Sequence, residues 1–173
     1  MTIPATQAML FAIFVLPICI YTVYTDLKYK KITNLTVWAL FAAFVVVGFF
    51  TLPMMEFVWR FSHWAVVFGI GLLLWFTRQM GAGDVKFGAV MALFIHSQDL
   101  AILLWIAIAS LVGATLTILL AGISPLRRLA PDWAVWTGKH ATVGNGQKFT
   151  IPMGPALCLT LSAYLVLGAL YGQ

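Results

Sequence analysis

Long apolar runs alternate with short charged connections along this chain. Charged residues are absent from 1–25, 32–55, 61–77, 87–98, 100–126 and 149–173. A hydrocarbon core takes roughly 17–25 residues of helix, and five of these runs reach or approach that length. The pattern predicts an all-α integral membrane protein with six transmembrane helices, over about 7–25, 35–53, 58–77, 85–99, 101–121 and 152–171. The fourth is short, which suits a buried or re-entrant segment better than a comfortable span. Helices are expected because backbone groups in lipid must pair within their own segment. A barrel would show alternating ten-residue segments, which are missing. The first run has no basic residue before it and no A-x-A site, so it reads as a span and not a cleaved signal peptide. All six spans are expected in one membrane-embedded domain, 1–173.

Composition agrees, with 62% hydrophobic residues, 9% charged and a mean hydropathy of +1.00. A soluble domain would be about a quarter charged. Nine of the ten Lys and Arg residues fall in the odd-numbered connections: Lys28, Lys30, Lys31, Arg78, Lys86, Arg127, Arg128, Lys139 and Lys148. Only Arg60 lies on the other side. By the positive-inside rule the odd connections are cytoplasmic and both termini lie outside. The net charge of +5 is thereby a matter of topology and of contact with anionic lipid. It gives no reason to invoke nucleic acid. Cys19 and Cys158 sit in apolar runs with no C-x-x-C spacing, and read as small packing residues. The longest polar stretch, 122–148, is broken by Pro125, Pro131, Gly144 and Gly146; Trp133 and Trp136 within it suit a membrane interface.

Only five residues are acidic. Glu56 and Asp99 fall in short outer loops and read as solvated charges. Asp132 follows a proline near Arg127 and Arg128, which suits a turn or a surface ion pair. Asp26 and Asp84 differ, because both are expected at the cytoplasmic end of the membrane. Two readings stand for each. Asp84, in "GAGDVK", is placed to cap the fourth helix, with Gly81 and Gly83 making the turn. Asp26, in "DLKYKKITN", is placed to pair with Lys30 one turn on. Alternatively the two form a catalytic pair. Neighbouring carboxylates in a partly dry site cannot both ionise easily, so one keeps a proton while the other takes a proton from water. His63, His96 and His140 are scattered over both faces, and no metal-ligand spacing or G-x-S-x-G elbow occurs. Gly69 and Gly71 suit close helix packing.

Three segments resemble the type IV prepilin peptidases. "DLKYKKITN" (26–34) resembles their first aspartate box, "GAGDVK" (81–86) their G-x-G-D-x-K box, and "IPMGPAL" (151–157) their last-helix segment. Order and membrane position match as well. The resemblance implies a membrane aspartic protease that removes the basic leader of prepilin-like proteins, with Asp26 and Asp84 as catalytic residues. Lys86, Gly81, Gly83, Asn34, Pro152, Gly154 and Pro155 would bind substrate or shape the site. No metal or cofactor is implied. The partners it implies are a prepilin-like substrate, membrane lipid and pilus assembly machinery, at the cell inner membrane. Thr33 stands where the family usually has proline, and Met153 where an aromatic residue is common. The cysteine-rich domain of the longer, methylating members is missing, so peptidase activity without methylation is expected. The chain is similar to the short peptidases of tight-adherence (Flp) pilus systems, with archaeal preflagellin peptidases close behind. A small proton- or ion-coupled transporter is the rival from another class, since intramembrane aspartates also bind ions.

Overall fold

The computed structural model describes residues 1–123, 132–133, 135 and 153–172. These residues are helical, with no strand among them. The helices are α1 (Ala5–Tyr29), α2 (Asn34–Thr51), α3 (Met54–Phe76), α4 (Ala82–Ala92), α5 (Leu100–Ile123) and α6 (Gly154–Tyr171), with a 3₁₀ turn at Ser97–Asp99 before α5. Five helices are long and apolar enough to cross a membrane: α1, α2, α3, α6 and a segment that joins the 3₁₀ turn to α5.

The short fourth helix lies at the centre. It packs on α3, α2 and α6, while α1 packs on α6 and α2, and α5 on α6. Its eleven residues make about 16.5 Å of helix, well short of a 30 Å core. Val85, Phe87, Ala89, Val90, Met91 and Ala92 are all buried, so both its flanks are covered by protein. Just beyond it, Phe94 enters a ring cluster with Phe11 of α1 (5.0 Å between centroids) and Phe44 of α2 (5.5 Å). Edge-to-face rings of this kind add directional preference to plain burial.

Two boundaries differ from the hydropathy pattern. The first helix continues past its apolar run to Tyr29, so Asp26 lies in its last turn and not in a loop. Lys30 then closes the helix in the left-handed region (φ 49°), its N–H donating to the Asp26 carbonyl. The fourth helix starts at Ala82 and stops at Ala92, where a span over 85–99 was expected.

Asp99 differs from its expected role. It is 1% exposed and not a solvated loop charge. Its carboxylate accepts from the backbone N–H groups of Thr2 (2.8 Å) and Ile3 (3.2 Å) and from the Tyr164 hydroxyl (3.0 Å). The His96 N–H donates to that same hydroxyl oxygen. Glu56 is likewise in the first turn of α3, 2.6 Å from Arg60. Arg60, 1% exposed, also donates to the Leu93 carbonyl. These groups trade water for one another, which is how buried polar atoms are normally satisfied. They tie the start of α1, the α4–α5 connection, α3 and α6 together at one end of the bundle. Ile3 also lies against Gly168 and Gly172, so the two ends of the described chain are neighbours there. Asp132 is exposed, and no ion pair of it is found among the described residues; Arg127 and Arg128 lie outside them.

Candidate active site

The opposite end gathers the α1–α2 connection, the start of α4 and the start of α6. Asp26, in the last turn of α1, is 5% exposed. Its Oδ2 accepts the backbone N–H of Gly154 at 2.9 Å. Gly154 is the first residue of α6, whose free N–H groups carry partial positive charge. The end of one helix thus holds a carboxylate from another, as helix N-termini hold anions generally. The approach needs glycine: a Cβ at 154 would sit 2.5 Å from Asp26 Oδ2 and 2.9 Å from Cγ. No ion pair joins Asp26 to Lys30 among the described residues.

Asp84 lies in the first turn of α4. The N-cap is Gly81, in extended backbone, and not Asp84 as expected. The Asp84 carboxylate instead turns back toward the Gly81 backbone N–H. That is half of a capping box, in which a third-position acid satisfies the cap residue's donor. Capping and chemistry therefore use the same side chain. Asp84 lies outside the five spanning helices, and its carboxyl is pushed up from 3.8 to about 6. Burial is the main cause, the negative charge of Asp26 the second, and the Gly81 N–H partly opposes both. The two aspartates thus lie within each other's field.

The remaining residues of the two boxes tie the boxes together. Lys86 Nζ donates to Asn34 Oδ1 at 3.2 Å, joining the start of α4 to the start of α2. Gly83 lets α4 approach the α1–α2 connection, where an added Cβ would meet Ile32 Cβ at 3.2 Å. The close approach at Gly81 is to the Asp84 carboxylate, 2.7 Å from an added Cβ. Thr33, which replaces the usual proline, caps α2: its hydroxyl accepts the Thr36 N–H at 3.3 Å. Pro155 is buried in the first turn of α6, where a missing N–H costs nothing. Met153 is exposed, and Pro152 lies outside the described residues. Cys19 and Cys158 are buried against each other where α1 meets α6, as packing residues. Gly71 fits the expected close packing, since an added Cβ would sit 2.6 Å from Val85; Gly69 has open space.

Sequence reasoning placed both aspartates at one end of the bundle but did not foresee the hydrogen bond from Gly154 to Asp26. The "IPMGPAL" segment was expected to bind substrate or shape the site, and its glycine N–H faces Asp26. Nothing in the spacing of residues 26 and 154 announces that contact.

Comparison with known proteins decides the family. The model of the type IV leader peptidase family matches residues 13–118, more than half of the 173. The chain belongs to the type IV leader peptidase family. No curated protein and no solved structure matches it. As a type IV leader peptidase it is a peptidase for prepilin-like substrates, and its apolar helices make it a multi-pass membrane protein. The matched region contains Asp26 and Asp84 and ends before Gly154.

Proposed function

We propose that this leader peptidase is an aspartic endopeptidase whose catalytic pair is Asp26 and Asp84. One observation carries the reading: two carboxylates from different helices meet at one end of the bundle, and the charge of one raises the pKa of the other. Such a pair shares one proton between its members as the pH falls toward the Asp84 midpoint of about 6, and the singly protonated fraction that persists above it is the reactive form. The charged member takes a proton from water. The protonated member hydrogen-bonds the scissile carbonyl and stabilises the developing oxyanion. The tetrahedral intermediate collapses with proton return to the leaving amine. The two groups titrate as a pair, so base and acid are roles of the dyad.

In this reading the site faces the cytoplasm, where Lys28, Lys30, Lys31, Arg78 and Lys86 cluster, and the membrane is the cell inner membrane. A prepilin's basic leader stays in the cytoplasm while its hydrophobic helix sits in the bilayer, which brings their junction to the two aspartates. The activity in this reading is leader hydrolysis without methylation.

Co-expression with a prepilin tests this. Leader removal, followed by mass shift, is expected with the wild type and not with Asp26→Asn or Asp84→Asn. Normal processing by either inserted variant would refute the dyad.

A further inference from the structure

A groove of about 590 Å³ runs from Asp84 along α4 to the 3₁₀ turn at the other end of the molecule. Its α4 wall is Asp84, Gly88 and Met91, one stripe at helical spacing, continued past the end of the helix by Ile95. The facing wall on α3 is Val67, Ile70 and Leu74, again one stripe. The start of α5 closes the far end with Leu100 and Leu103. α3 is the least covered of the five spanning helices, with only 11% of its window buried. Ile70 is 54% exposed and Val67 37%.

We propose that this groove receives the hydrophobic segment that follows the scissile bond of the prepilin substrate. The inference rests on the aspartate-dyad reading and names where that dyad's substrate lies. Three observations favour a polypeptide occupant. The groove is continuous with a carboxylate of the dyad, so a chain in it delivers a peptide bond to Asp84. Its walls below Asp84 are apolar side chains at helical spacing, the form in which a groove takes an apolar helix face. Its length along α4 from Asp84 to Ala92 is about 12 Å, or roughly two turns of a docked helix. Gly88 is open space on the α4 wall and carries no side chain into the groove, since an added Cβ there meets nothing within 4 Å. The substrate helix therefore lies closest to α4 at Gly88, one turn beyond the aspartate.

The test places a photo-crosslinking side chain at Ile70, in the groove, and at Leu116 on α5 as a control. Leu116 is similarly exposed (53%) but does not line the groove. The background is full-length Asp84→Asn enzyme in membranes with prepilin, and in parallel the Asp84-bearing enzyme with an uncleavable prepilin. The Ile70 probe is expected to capture prepilin through the segment after the leader, while the Leu116 probe captures lipid. A Gly88→Leu enzyme, which puts an apolar side chain into the open space at Gly88, is expected to raise KM for prepilin about tenfold. Lipid adducts alone from Ile70, an adduct with this chain's own 134–152 segment, or an unchanged KM in Gly88→Leu would overturn the proposal. Cleavage by Asp84→Asn would instead refute the dyad, and the uncleavable prepilin would still report the groove.

Discussion

At the scale of single residues, the site depends on backbone donors aimed at carboxylates. The Gly154 N–H holds Asp26, and the Gly81 N–H faces Asp84. A hydrogen bond to a charged group contributes about 1.5–3 kcal/mol, and each 1.36 kcal/mol is tenfold in rate. Gly154→Ala forces Asp26 out of its position, so kcat is expected to fall about 10- to 100-fold with KM little changed. Steady-state kinetics on a purified prepilin checks this; a kcat equal to wild type would remove Gly154 from the positioning of Asp26. The second residue-scale prediction concerns protonation. Asp84 titrates near 6, partly because Asp26 is charged. Replacing Asp26 by Asn removes that charge and moves the Asp84 midpoint down toward the ordinary carboxylate range. The protonated-carboxyl infrared band, followed through a pH titration, reads the midpoint. An unmoved midpoint would mean that the two carboxylates do not interact.

At the scale of helices, the sequence was most legible where charge was absent. Among the described residues, uncharged runs located the five long apolar helices and overlapped the short α4, and at one end of the bundle Gly83 meets Ile32 while Gly154 meets Asp26. Helix ends were less legible, because tertiary hydrogen bonds set them. Asp26 was placed in a loop because hydropathy stops at a charge, while α1 continues to its left-handed cap at Lys30. Asp99 was taken for a solvated charge because its partners lie 65, 96 and 97 positions away. Glu56 was likewise taken for a solvated charge, although Arg60 stands at i, i+4 from it, the spacing of a helical ion pair. The paired glycines of α3 give a test at this scale. Gly71→Ala drives a methyl into Val85, next to Asp84, and is expected to cost about 1–3 kcal/mol by overpacking. Gly69→Ala meets open space and is expected to leave stability unchanged or slightly higher, because alanine is the better helix former. Melting in detergent compares them, and equal midpoints would contradict the α3–α4 contact.

At the scale of the whole molecule, two polar ends and an apolar middle divide the work. One end is locked by the Asp99 and Tyr164 bonds that tie the start of α1 to α6 and the α4–α5 connection. The other end holds two carboxylates on two helices, with the N-terminus of a third as donor. The short α4 connects them, carrying Asp84 at one end and leading through Phe94 into the aromatic core at the other. Because α4 is enclosed by its neighbours, the position of Asp84 relative to Asp26 is a property of the assembled bundle. The central claim is that the two carboxylates act as one unit. Purified wild-type enzyme, Asp26→Asn, Asp84→Asn and the double variant, each reconstituted in lipid, should be compared by kcat/KM on one prepilin. Groups that act as a unit are non-additive, so each single variant should lose about as much as the double, on the order of a thousandfold or more. Losses that instead multiply, with either single variant keeping substantial activity, would contradict the dyad.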